Sequence, residues 1–293
     1  MSDPRVVTTA AQLQALADDE RAQGRRIALV PTMGALHEGH LSLVDEARRH
    51  ADRVWMSIFV NPTQFNDPKD FDAYPVDLER DLALAGARGV DVVFHPDAAE
   101  LYPEGAETWV NVESLTEPLC GASRPGHFRG VTTVVAKLLL AARPHVAVFG
   151  QKDFQQCAVI RRMVADLSFG VEIVAAPTVR EPDGLALSSR NVRLGPEARR
   201  QALALVRSLE AAEAAVAAGE RDRDVLIRGV EAESGRSPLA KLDYAELRDP
   251  ASLETSPPRL VGPALLALAV QFAADPDGQG APCLLYTSPS PRD

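Results

Sequence analysis

Cysteine, aromatic residues and long apolar runs are all scarce in this 293-residue chain. The three cysteines, Cys120, Cys157 and Cys283, share no CxxC spacing and have no histidines at zinc-finger distance. That excludes a disulfide framework or a structural zinc site as the organising principle and makes a reducing, cytoplasmic compartment the expectation. No uninterrupted run of about 20 apolar residues occurs. The opening stretch MSDPRVVTTAAQLQ holds no apolar leader core, so neither export nor membrane spanning is expected. Basic residues are outnumbered, 31 against 41 acidic, for a formal charge of -10. Such a surface repels phosphate backbones and argues against a nucleic-acid partner, while still allowing a local cationic pocket for a small anion.

What the chain does have is apolar content, 46% of its residues, and length enough for two domains. Up to about residue 175, short apolar runs alternate with helical patterns. Residues 9–23 read as a helix with Thr8 or Thr9 as N-cap. Strands are expected at 26–30, 54–60, 90–94, 146–149 and 171–175. Helices are expected at 39–51, 77–88, 131–142 and 154–167. This alternation implies an α/β architecture with a parallel sheet covered on both faces. Ligands of such sheets bind beyond the carboxyl ends of the strands. After residue 191 the texture changes to helices at 196–219 and 222–234 and strands at 242–247 and 265–272. That pattern suggests a smaller α+β domain starting near residue 185.

Five polar clusters punctuate this pattern. The first, PTMGALHEGH over residues 31–40, follows a strand and opens a helix. Gly34 and Gly39 permit close backbone approach, and a helix N-terminus suits phosphate. His37 and His40, three apart, project to one side of a helical turn and can donate to phosphate oxygens. No third ligand supports zinc at this pair. The second, FVNPTQFN at 59–66, offers Asn61 and Gln64, neutral multi-donor amides suited to hydroxyls and carboxylates. The third is RPGHFRGV at 124–131. The fourth, FGQKDFQQ at 149–156, again joins a strand to a helix. Lys152 can bind phosphate as a point charge, and Asp153 can hold a ribose hydroxyl or a metal. Gln155 and Gln156 face different ways, so one at most serves a pocket. The fifth, REPDGLALSSRN at 180–191, brings Ser188, Ser189 and Arg190 together at the domain junction, hydroxyl donors and a planar cation able to bracket a triphosphate. Read singly, several of these would pass for polar turns.

Taken in order, the five segments resemble the pantothenate synthetases, the AMP-forming pantoate–β-alanine ligases of the HIGH-type nucleotidyltransferases, over most of the chain. The resemblance implies a Rossmann-like domain over 1–184 and a smaller α+β lid over 185–282. It implies ATP contacts at Met33, Gly34, His37, Gly39, His40, Gly150, Gln151, Lys152, Asp153, Val179, Leu187, Ser188, Ser189 and Arg190. His40, His37, Lys152 and Arg190 would carry catalysis. Gln64 and Gln156 would hold pantoate, with Asn61 beside them. Mg²⁺ would accompany ATP, no protein metal ligands are indicated, and a homodimer is implied.

One departure stands out. Residues 283–293, CLLYTSPSPRD, resemble an in-frame translation of a sequencing adapter and carry no obvious periodicity. They are expected to be an artefactual tail, leaving the second domain without its final strand. Two other readings share the HxGH element: a different nucleotidyltransferase, which would not need the segments at 59–66 and 149–156, and a nucleotide-binding protein without turnover.

Overall fold

The computed structural model describes residues 3–287. The chain divides into two compact units, one running to Gly150 and including Gln155–Ala176, the other formed by Gln151–Phe154 and the residues from Pro177 onward. The second unit thus begins ahead of the expected junction at 185, because a hairpin over 179–187 belongs to it.

The first unit runs β1 (Arg5–Val7), α1 (Ala10–Ala22), β2 (Ile27–Thr32), α2 (Glu38–Ala47), β3 (Arg53–Ile58), α3 (Pro68–Asp72), α4 (Leu78–Arg88), β4 (Val92–Phe94), α5 (Ala98–Leu101), α6 (Cys120–Ser123), α7 (His127–Ala142), β5 (Val146–Gly150), α8 (Phe154–Asp166) and β6 (Glu172–Ala176). All six strands are parallel, in the order β1-β4-β3-β2-β5-β6. The expected Rossmann-like α/β sheet is therefore present. Its extra edge strand, β1, is too short for any periodicity to reveal.

Successive side chains of each strand face opposite layers. Leu29, Trp55 and Phe94 pack with Leu13, Leu139 and Ile160 on one face. Val30, Met56 and Val93 pack with Leu43, Val44 and Ala85 on the other. Helix ends follow local chemistry. Thr9 and Gln12 form a reciprocal capping box on α1. Asp77 caps α4, which ends at left-handed Gly89.

The second unit contains α9 (Pro196–Gln201), α10 (Ala204–Ala217), α11 (Arg223–Ser234) and an antiparallel sheet β7-β8-β9, with β7 at Ala240–Arg248, β8 at Leu265–Phe272 and β9 at Cys283–Thr287. The single helix expected over 196–219 is two. The amide of Leu203 turns back to Arg200 and that of Leu205 to Ala202, a tight turn that lets Ala198, Ala202, Leu205 and Leu209 all reach one core. The second correction concerns the tail. The domain does not stop short of a final strand: Cys283–Thr287 pairs antiparallel with Leu268–Phe272. The reason lies in its alternation, since Cys283 and Leu285 are buried in the core while Leu284 is not fully covered. Residues 288–293 lie outside the described residues. No helix among the described residues is long and apolar enough to cross a membrane.

Candidate active site

Strand β2 lies between β3 and β5 in the first unit's sheet, and the three are parallel. Their carboxyl ends are therefore neighbours, and each ends in one of the polar clusters. This is the strand-order reversal at which open α/β sheets bind ligands.

After β2, the segment at 33–36 turns sharply, with Gly34 at φ 85 and Ala35 at φ 50. A Cβ on Gly34 would stand 2.9 Å from an Asp81 carboxylate oxygen and 3.2 Å from Ile58, so glycine is required there on both counts. Asp81, buried on α4, accepts from the amides of Ala35 and Leu36, each at 2.8 Å. Arg80 donates to the Leu36 carbonyl at 3.2 Å. Helix α2 then begins with His37 as its N-cap, the Nδ1 accepting from the Gly39 amide at 3.1 Å. An accepting Nδ1 carries no proton, so in the neutral ring Nε2 is the N–H. The ring of His40 lies 4.1 Å from that of His37, centroid to centroid.

After β3, the turn at 61–66 is built around Asn61, which is 1% exposed. Its Nδ2 donates to the Gly130 carbonyl at 3.2 Å and to Gln64 Oε1 at 2.9 Å. Its Oδ1 accepts from Thr63 Oγ1 and from Tyr102 Oη, both at 2.9 Å. Carbonyls only accept, so the Gly130 contact fixes which way the Asn61 amide points, and that in turn fixes Gln64. Gln64 Nε2 is thereby turned outward and donates to Met33 Sδ at 3.1 Å, leaving its second N–H for a ligand. The Gln64 carbonyl accepts from His127 Nδ1 at 2.8 Å and Arg124 at 3.0 Å. Gly130 lets α7 approach: a Cβ there would sit 2.5 Å from the Thr63 carbonyl oxygen.

Asn61, expected beside the acid substrate, instead spends its hydrogen-bonding capacity on the protein. After β5, Gln155 does likewise, buried and bound to Leu115, Pro118 and Cys120 backbone. Gln156 is half-buried and its side chain makes no hydrogen bond among the described residues, which leaves its amide for a ligand. Gly150 ends β5, its carbonyl accepting from the Cys157 thiol at 3.4 Å.

The second unit holds the other expected nucleotide contacts. Gln151, Lys152 and Asp153 form one 3-10 turn, with Lys152 and Asp153 paired at 3.6 Å. The hairpin over 179–187 closes through the Leu187 amide donating to the Val179 carbonyl at 3.0 Å, and turns at Gly184, φ 91. Beyond it, Ser188 Oγ accepts from the Arg190 amide at 3.3 Å, and Ser189 lies between them. Lys152, Arg180 and Ser188 line the polar side of a concavity whose apolar side is Leu205, Val206 and Leu285. Two cations and a hydroxyl there suit an anion. Burial holds the Arg180 guanidinium below its ordinary value, with Glu210 acting the other way. Among the described residues no cluster of three or more His, Cys, Asp or Glu side chains is arranged to hold a metal ion.

The family model described as Pantoate-beta-alanine ligase matches residues 5–276. The chain belongs to the pantoate-beta-alanine ligase family. The pantothenate synthetase of Geobacter sulfurreducens is 56% identical over 254 residues, 85% of this chain and 88% of that protein. That of Acetivibrio thermocellus is 53% identical over 92% of this chain and 96% of its own length. The solved pantothenate synthetase of Thermus thermophilus aligns at a TM-score of 0.88 with 44% identity, covering 97% of this chain and 98% of that one. The pantoate-beta-alanine ligase of Francisella tularensis, solved with Beta-gamma ATP and β-alanine, aligns at 0.77 with 31% identity over 97% of each chain. Family membership disposes of the alternative nucleotidyltransferase reading.

Motif reading misses two residues of this pantoate-beta-alanine ligase. Asp81 has a local signal, an acid on the apolar stripe formed by Leu78, Leu82 and Ala85. Tyr102 has none, since its partner lies 41 positions away.

Proposed function

We propose that this chain joins pantoate to β-alanine in two ATP-dependent steps. The pantoate carboxylate attacks the α-phosphorus of ATP, forming a pantoyl-adenylate and releasing pyrophosphate. The β-alanine amine then attacks the acyl carbon, and AMP leaves with the carboxylate's original C–O bond broken. The Francisella relative, solved with an ATP analogue and β-alanine, supports both co-substrates. The observation that carries the reading is the contact of Gln64 Nε2 with Met33 Sδ at 3.1 Å. It joins the phosphate-suited segment after β2 to the amide-bearing turn after β3, as transfer between a nucleotide and a small acid requires.

In this reading Gln64 and Gln156 hold pantoate by amide N–H donors. His37, capped through Nδ1, offers Nε2–H to a phosphate oxygen, and His40 donates beside it as charge builds on the leaving pyrophosphate. Met33, Gly34, Gly39 and Gly150 shape the nucleotide's bed with backbone. In the second unit, Lys152, Ser188, Ser189 and Arg190 neutralise phosphate charge, Gln151 and Asp153 flank Lys152, and Val179 and Leu187 hold the hairpin that presents the serines. No side-chain nucleophile is needed, because the substrate's carboxylate is the nucleophile. Mg²⁺ enters on the ATP phosphates as part of the substrate, in keeping with its preference for phosphate oxygens and water over protein cages. A homodimer in the cytoplasm completes the proposal, the first supported by the family resemblance and the second by the sparse, dispersed cysteines.

AMP release from ATP and pantoate, with and without β-alanine, tests the proposal. Rapid AMP only with all three substrates is the expected result. No AMP, together with no pantoate-dependent exchange of pyrophosphate into ATP, would overturn it.

A further inference from the structure

A strap between β4 and α7 crosses behind the Asn61 turn, and its anchoring is more elaborate than a connection needs. Tyr102 and Trp109 stack, ring centroids 6.1 Å apart at 23°. Arg129 lies over Trp109 at 4.4 Å and Lys137 over Tyr102 at 5.4 Å. Thr133, between those two cations on the same face of α7, accepts from the Val110 amide at 3.0 Å. Thr132 donates to the Val110 carbonyl at 2.7 Å. Two cations eight positions apart on one helix face therefore clamp two aromatic rings, and Thr133 midway between them holds the strap's backbone at Val110.

The hydroxyl of the clamped Tyr102 donates to Asn61 Oδ1 at 2.9 Å and lies 3.2 Å from Thr63 Oγ1. We propose that Tyr102 is a positioning residue for the acid-binding amide: the strap holds its hydroxyl on Asn61, Asn61 orients Gln64, and Gln64 presents N–H to pantoate. Burial raises the Tyr102 phenol above its ordinary value, opposed by its bonds to Thr63 and Asn61, so it stays a neutral donor at working pH. With no donor from Tyr102, Oδ1 keeps only Thr63, and the Asn61 amide gains freedom to rock and to release Gln64.

This inference rests on the proposed pantoate reading, and the experiment separates the two. Tyr102→Phe keeps the stacked ring and removes only the hydroxyl. Its pantoate KM should rise about five- to tenfold, the size of one lost hydrogen bond. The ATP KM should stay at its wild-type value, as should the fluorescence of Trp109, which reports the stack, and the melting temperature should fall by no more than about 2–4 °C, the cost of about one hydrogen bond. A merely structural role would instead raise both KM values together, which would overturn the proposal, as would an unchanged pantoate KM. If Tyr102→Phe does not fold, Trp109→Leu loosens the ring from its exposed side. It should raise the pantoate KM selectively, and an unchanged value overturns the proposal. A wild-type protein whose AMP release ignores pantoate would remove the functional reading itself and this inference with it.

Discussion

Replacing Asp81 by asparagine removes a charge and almost no volume, at a site where the structure gives both carboxylate oxygens a task. Each accepts one backbone amide at 2.8 Å, from Ala35 and from Leu36, and the side chain is 1% exposed. Asparagine can keep one bond. Its NH₂ then faces the other amide, donor against donor, with no water to intervene. Losing one charged-acceptor bond and stranding a buried N–H costs about 2–4 kcal/mol. For a unit of this size, at about 2–4 °C per kcal/mol, the melting temperature should fall by roughly 5–15 °C. The effect reaches function because Ala35 holds φ 50, a conformation that persists only when its surroundings enforce it. Relaxed, it would swing the turn that leads into His37, and misplacement by about 1 Å is enough to cost about a hundredfold in rate. Calorimetry and AMP release on the same preparation make the assay. Glu79→Gln, exposed on the same helix, controls for the lost charge. An Asp81→Asn protein that melts within about 1 °C of wild type and keeps the ATP KM would refute the reasoning, because a buried amide bond of this geometry cannot be lost, and its donor stranded, silently.

Other expectations are simpler. His40→Ala should lower kcat by about a hundredfold, as loss of a donor to developing charge does, and near wild-type turnover would remove it from the mechanism. Gln64→Ala should raise the pantoate KM far more than the ATP KM, and equal effects in steady-state kinetics would contradict its assignment. His145 accepts from the Ile27 amide at 3.0 Å through Nδ1. Burial first, then Arg21 and Arg26, hold its folded value below the ordinary one, with Asp52 opposing. The unfolded chain therefore binds the proton first, and stability should fall as pH drops from about 6.5 toward that lowered value; His145→Asn should flatten this acid limb in melting experiments. Deleting residues 283–293 should uncover β8 and lower the melting temperature, since burying Leu285 alone contributes about 1.5–3 kcal/mol; an unchanged melt would mean that β9 adds nothing.

What could be read from sequence divides along a physical line. The chemistry-bearing residues are legible because each cluster is local: a strand end, a glycine and a helix N-terminus within about ten residues. His37 needs only its own helix to be recognised. The supports are not local. Asp81 shows locally only as an acid on an apolar stripe, its partners lying 45 and 46 positions away, and Tyr102, 41 positions from Asn61, does not show at all. Asn61 reads as a ligand contact because an exposed amide and a fully committed one are identical in sequence. The break between α9 and α10 carries no glycine or proline; tertiary packing of Leu205 decides it. The strand at 283–287 is hidden by its adapter-like wording, yet a sheet edge selects on alternation, and Cys283 and Leu285 supply it.

The second unit depends on residues far along the chain from those they hold. Asp275, 6% exposed, lays both carboxylate oxygens on the first amides of α9, those of Glu197 and Ala198, at 2.8 Å. Gly195 leaves room for it, since a Cβ there would sit 2.5 Å from that carboxylate. During synthesis the six-stranded sheet of the first unit is complete once Ala176 has cleared the ribosome, and that unit can fold while translation continues. The serine-bearing loop and the helices after it have no such freedom. They emerge roughly 40 to 100 residues, or several seconds at ordinary elongation rates, before the carboxylate that caps α9 and the strand that closes their sheet. Only at the end of that interval, over the roughly 10 to 15 residues that separate Phe272 from β9, does β8 present a bare apolar edge, the state in which a chaperone has most to shield.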